Sequence, residues 1–152
     1  MTKTKRISRI FAVALAIVLT MALAVPAFAS SQDVAINRFT VTSSNQYITP
    51  QLKENGTSCY VKLNNLDTHS SAMINVYGQS APPWGNSGKK ICNYGGNDRI
   101  INVGTGYLVR NTVYESNWSH ATLAFSRSIT TNYDIAGYWS PDSVYQSGLI
   151  TI

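Results

Sequence analysis

Apolar side chains recur at every second position along this chain, and that period constrains the fold more than any other feature. Cys59, Val61 and Leu63 alternate with Tyr60, Lys62 and Asn64. Ala72, Ile74 and Val76 alternate with Met73, Asn75 and Tyr77, and Ala121, Leu123 and Phe125 with Thr122, Ala124 and Ser126. Successive side chains on a strand point to opposite faces, so this pattern gives each strand one buried face. Further strands are expected at Val34–Val41, Tyr47–Leu52, Ile100–Val103, Tyr107–Tyr114 and Tyr133–Trp139. Pro50 has no N–H to give a ladder, so the 47–52 run belongs at a sheet edge. Asn55-Gly56 predicts a tight turn with positive φ, and Ser140-Pro141-Asp142-Ser143 a β-turn with proline at its second position. Short strands separated by such breaks predict an all-β protein, a single antiparallel β-sandwich or barrel-like domain.

The first 29 residues obey a different rule. Lys3, Lys5, Arg6 and Arg9 precede an apolar run from Ile10 to Val25; Pro26 ends it and Ala27-Phe28-Ala29 comes next. A basic start, an apolar centre and a small-residue cleavage site form a secretory signal peptide. The expected organisation is therefore a signal peptide over 1–29 and a β-sandwich domain over 30–152, secreted and with no stable membrane span after cleavage. A retained membrane anchor is the alternative, since the apolar run approaches the roughly 20 residues a spanning helix needs.

The charge balance changes with cleavage. The whole chain carries 12 Lys+Arg and 7 Asp+Glu, a net +5, but four of the basic residues lie in the signal. Residues 30–152 keep eight basic against seven acidic residues, and only Lys89-Lys90 stand together. That excludes the clustered basic face a nucleic-acid partner requires. Export also places Cys59 and Cys92 where disulfides persist. Pairing them would stabilise the fold by about 3.5–4 kcal/mol in the chain-entropy model; two free buried thiols are the alternative.

Candidate chemistry is sparse. The sequence holds two histidines, His69 and His120, and no zinc-protease, nucleophile-elbow or phosphate-loop motif. A thiol with His120 as base is the best enzymatic arrangement, and a disulfide would remove it. No enzyme activity, cofactor or metal is expected. Aromatic residues offer more: all nine Tyr and three Trp lie after residue 29. Seven of the ten glycines fall between Gly78 and Gly106, with Pro82-Pro83, Trp84 and Tyr94. This composition predicts a long irregular excursion, where binding residues concentrate. Trp139 continues the parity of Ile135 and Gly137 and is assigned to the core; Trp84 and Trp118 are the better exposed candidates.

The stretch from Tyr114 through Glu115, Ser116, Asn117, Trp118, Ser119, His120 and Ala121 to Leu123 resembles part of the lactococcin 972 family of secreted bacteriocins, with Gly137-Tyr138-Trp139 suitably placed after it. The segment from Gly137 to Ser143 also looks like the ending of many small exported Gram-positive proteins of unknown function. The resemblance covers about the last third of the chain, and the two cysteines lie outside its pattern. It implies a β-sandwich acting on competing bacteria at the cell envelope, with Tyr114, Asn117, Trp118 and His120 as matching positions. The expected function is thus a secreted, non-enzymatic protein of the bacterial cell envelope, bacteriocin-like in one form. A carbohydrate- or surface-binding module is the alternative. The candidate binding residues are Trp84, Tyr94, Tyr114, Asn117, Trp118 and His120.

Overall fold

The computed structural model describes residues 33–42, 45–67, 69–80, 89–126, 132–143 and 146–152. The signal segment and Trp84 with its prolines lie outside them. Among the described residues eleven strands run in chain order: β1 (Val34–Val41), β2 (Gln46–Tyr47), β3 (Gln51–Leu52), β4 (Ser58–Leu66), β5 (Ser71–Gln79), β6 (Lys90–Ile91), β7 (Arg99–Asn102), β8 (Gly106–Val109), β9 (His120–Ser126), β10 (Tyr133–Ser143) and β11 (Ile150–Thr151). No helix occurs among the described residues, and none there is long and apolar enough to cross a membrane.

The strands form two sheets. One has the order β1-β10-β4-β8-β11. In the other, β9 pairs with β2 and β3 along one side and with β5 along the other, and β5 carries β6 and β7. Pairing is antiparallel except for β11, which runs parallel to β8. The alternating residues meet between the sheets as the period requires. Cys59, Val61 and Leu63 of β4 face inward with Ile135 and Trp139 of β10, against Ile74 and Val76 of β5 and Leu123 and Phe125 of β9. Each fully buried side chain of this size contributes roughly 1.5–3 kcal/mol. Trp139 lies in this core, 1 % exposed.

Several turns depart from the sequence expectation. Ser140–Ser143 is not a β-turn: β10 continues through it, and its ladder with β4 shifts register between Ser140 and Ser143. A proline is accommodated in a strand where the ladder is interrupted. Asn55-Gly56 does not adopt positive φ. Instead the Asn55 side-chain oxygen accepts from Thr57 N at 2.9 Å, an Asx-type turn. The glycine-rich excursion is also more regular than its composition suggests. β5 extends to Gln79, and β6, β7 and an Asn93–Asn111 bridge give order to residues 90–102. β8 ends at Val109, so the expected 107–114 strand gives way to turns.

One ion pair fixes the 53–57 loop to β10. The Lys53 ammonium donates to Asp142 Oδ1 at 2.6 Å, to the Pro141 carbonyl at 2.7 Å and to the Thr57 carbonyl at 2.5 Å. Asp142 also accepts from Glu54 N at 2.8 Å. Both charged side chains are fully buried. All three ammonium protons have acceptors, which is the condition under which a buried charge is tolerated.

The disulfide expectation is corrected here. Cys59 and Cys92 are free, buried thiols. Each sulfur is held by its own neighbours: Cys59 donates to the Pro141 carbonyl at 3.3 Å, and Cys92 to the Lys90 carbonyl at 3.3 Å. Burial, above all other causes, pushes the Cys59 thiol up to about 12 and raises that of Cys92.

Candidate functional site

Two short turns converge beyond the end of β8, and each presents a tyrosine. The first comes after β6. Asn93 is buried, and its side chain organises the turn. Its oxygen accepts from Val76 N at 2.8 Å, and its nitrogen donates to Asn75 Oδ1 at 2.6 Å and to the Asn97 carbonyl at 2.7 Å. Gly95 and Gly96 have φ of 81° and 74°, the left-handed region that favours glycine, and Gly96 N donates to the Asn93 carbonyl at 3.0 Å. This geometry leaves Tyr94 outside the core, 52 % exposed. Its backbone N–H donates to the Arg110 carbonyl at 3.0 Å, and the Arg110 guanidinium lies 4.2 Å from its ring centre. Arg99 also donates to the Tyr94 carbonyl.

The second turn spans residues 112–118. Ser116 N donates to the Thr112 carbonyl at 3.0 Å and Trp118 N to the Val113 carbonyl at 3.1 Å. Asn117 takes φ 60° and so reverses the chain. Val113 is fully buried and anchors the turn, while Tyr114 is 50 % exposed. The Asn111 side chain braces this turn by donating to the Val109 carbonyl at 3.2 Å and accepting from Val113 N at 3.3 Å. The two turns are joined, because Thr112 N donates to the Cys92 carbonyl at 2.9 Å.

Between them lies a cleft of about 200 Å³, lined by Gly56, Ser58, Tyr94, Arg110, Thr112 and Glu115, with Asn111 beneath. Tyr114 borders it at Gly56. A Cβ at Gly56 would stand 2.8 Å from Glu115 Oε1 and 4.0 Å from Tyr114 Cδ1, so the absent side chain keeps the cleft open. The lining offers guanidinium donors, a carboxylate acceptor and three hydroxyls, of Ser58, Thr112 and Tyr94, that do both. Hydroxyl-rich, uncharged molecules match that set, and an aromatic face accepts the apolar side of a ring. Among the described residues no three His, Cys, Asp or Glu side chains cluster to hold a metal ion.

The other candidate residues lie differently. Trp118 is half-buried and packs on β5: a Cβ at Gly78 would come within 2.3 Å of its Cδ1. It joins the edge of the core rather than the cleft. Asn117 shapes the turn. His120 opens β9 opposite Leu52 and Gln79, and its Nδ1 shares a 2.9 Å hydrogen bond with Ser119. Burial lowers its pKa. Trp84 lies outside the described residues. Sequence reasoning missed Arg110, Thr112, Ser58 and Glu115. The polar residues that complete the cleft come from β4, from the end of β8 and from the second turn, and no local motif unites them.

The family described as "Protein of unknown function (DUF2712)" matches residues 25–143 of the chain. No curated protein and no solved structure matches it. The match lends nothing to the lactococcin 972 resemblance and fits a family of unknown function.

Proposed function

The chain belongs to the DUF2712 family of unknown function, and we propose from its own geometry that it is an exported, non-catalytic module that binds polysaccharide of the bacterial cell envelope. The site is the cleft lined by Tyr94 and Arg110, which Tyr114 borders at Gly56. The observation that carries this reading is the pair of half-exposed tyrosines, held on braced turns beside a polar cleft. Two tyrosines fixed in this way present rigid apolar faces at little entropic cost, and Arg110, Thr112 and Glu115 supply hydrogen bonds for ring hydroxyls.

The basic and apolar N-terminus supports export. The state of the thiols supports a non-covalent role. The thiolate is the nucleophilic form, and burial keeps the Cys59 thiol protonated at neutral pH.

The test is retention of the exported protein on insoluble cell-wall polysaccharide. The wild type should be retained, and Tyr94→Ala combined with Tyr114→Ala should reduce retention at least about tenfold, equivalent to about 1.4 kcal/mol. Both side chains are half in solvent, so the variant should melt as the wild type does. Equal retention would overturn the proposal. Growth inhibition of related bacteria by the same protein separates the two forms of the envelope reading. Inhibition that depends on the tyrosines supports the bacteriocin-like form, and binding without inhibition restricts the protein to recognition.

A further inference from the structure

A second cavity lies on the opposite flank of the sandwich. Its volume is about 500 Å³, within the roughly 300–1,000 Å³ of ligand sites. It opens between the two sheets where β1 ends one and β2–β3 end the other. Trp139 and Ile36 are buried beside it, whereas Val34, Phe39 and Ile48 line it only partly buried. Apolar surface is therefore left open between two sheet edges.

The rims are backbone. Among the described residues no strand pairs with the outer edge of β1, which runs for eight residues. An unpaired edge presents free N–H and C=O groups and templates another strand. The mouth carries the amides of Gln46, Gln51 and Asn37. Among the described residues Arg38 is the one charged residue lining it, and it is neutralised: its guanidinium meets Asp134 at 2.7 Å and Asp67 at 4.0 Å. The site thus joins an apolar floor, an uncharged amide mouth and an open strand edge.

We propose that this cleft accepts an extended, uncharged peptide segment of a partner protein, which adds to β1 as a strand and places alternate apolar side chains between the sheets. The chemistry favours a peptide over an aliphatic chain. A peptide satisfies the free backbone groups of β1, whereas an alkane laid over them would remove their water without replacement. Strand addition draws affinity from the backbone ladder and selectivity from alternate side-chain pockets. This proposal is independent of the tyrosine cleft, because the two sites lie on opposite flanks.

The probe is the capped peptide acetyl-Thr-Val-Thr-Val-Thr-Val-amide, with sodium decanoate as the comparison. The readout is hydrogen exchange of the β1 amides, with light scattering for oligomeric state. Saturating peptide should slow exchange in β1 at least about tenfold. Ile48→Trp, which fills the cleft, should abolish that slowing while cell-wall retention persists. If Ile48→Trp does not fold, Thr49→Arg places a charge at the mouth from an exposed position and should act the same way. Unchanged β1 exchange, or equal slowing in the variant, would overturn the proposal. So would protection by decanoate alone, which marks an aliphatic site. Outward β1 amides, those not bonded to β10, that are already protected without peptide also overturn it: in a dimer they mark self-pairing, and in a monomer a cleft filled by the chain itself.

Discussion

Lys53 departs furthest from what its residue type predicts. Lysine is almost never fully buried unless paired, and its partner Asp142 is 89 positions away. No local pattern could join them, and Asp142 reads in sequence as an ordinary turn residue. The pair matters because losing one member leaves the other charged and buried. Lys53→Met strands a buried carboxylate and should cost about 3–5 kcal/mol in urea unfolding. The double change Lys53→Met with Asp142→Leu should cost less than Lys53→Met alone, since neither charge is left unpaired. The thiols give a second outcome. Both cysteines should react with a thiol reagent in denaturant, and Cys59 should stay unmodified in the folded protein at pH 8. Alkylation of Cys59 should accelerate only as the pH approaches about 12. Residue type and a glycine-rich neighbourhood marked Tyr94 in the sequence, whereas Tyr114 was marked only by the lactococcin 972 resemblance, to which the family match lends nothing. The sequence could not separate them from Trp118, whose burial depends on the bare backbone of Gly78.

Among the elements, β10 shows how far periodicity reaches. Its alternation placed Ile135 and Trp139 in the core, and the structure agrees. Its irregularities were not legible. A Cβ on Gly137 would stand 2.2 Å from the Lys62 carbonyl oxygen, at the point where the ladder with β4 shifts register. Gly137→Ala should therefore destabilise the domain by about 1–3 kcal/mol in urea unfolding, as the strands move apart. β6 and β11 have two residues each, too few to show any period, and β11 joins in parallel to β8, from which β9 and β10 separate it in the chain. The tie between β1 and β10 is sensitive to acid. Hydrogen bonds from Thr40 and then Arg38 hold the Asp134 carboxyl below its ordinary value. Its contribution to stability is complete above the unfolded value of about 3.9 and is lost as pH falls through the lower folded value. Asp134→Asn should remove that part of the acid limb, measured as Tm against pH below 4.

The described residues form a sandwich with two unlike flanks. The β1 flank leaves a strand edge and apolar surface open, and the far flank carries tyrosines beside a polar cleft. The all-β class was legible because alternation is local. The flanks were not, because each is set by pairings distant in sequence: β1 is placed by β10 and β2–β3 by β9, and the 93–96 turn meets the end of β8 and Gly56. We propose that the tyrosine cleft recognises envelope polysaccharide. The most direct test is a nuclear magnetic resonance titration of labelled residues 30–152 with soluble cell-wall oligosaccharides. Saturable amide shifts confined to residues 93–96 and 110–115, with Gly56 and Ser58, are the result expected. No shift at high oligosaccharide, or shifts centred on β1 and residues 46–52, would contradict it.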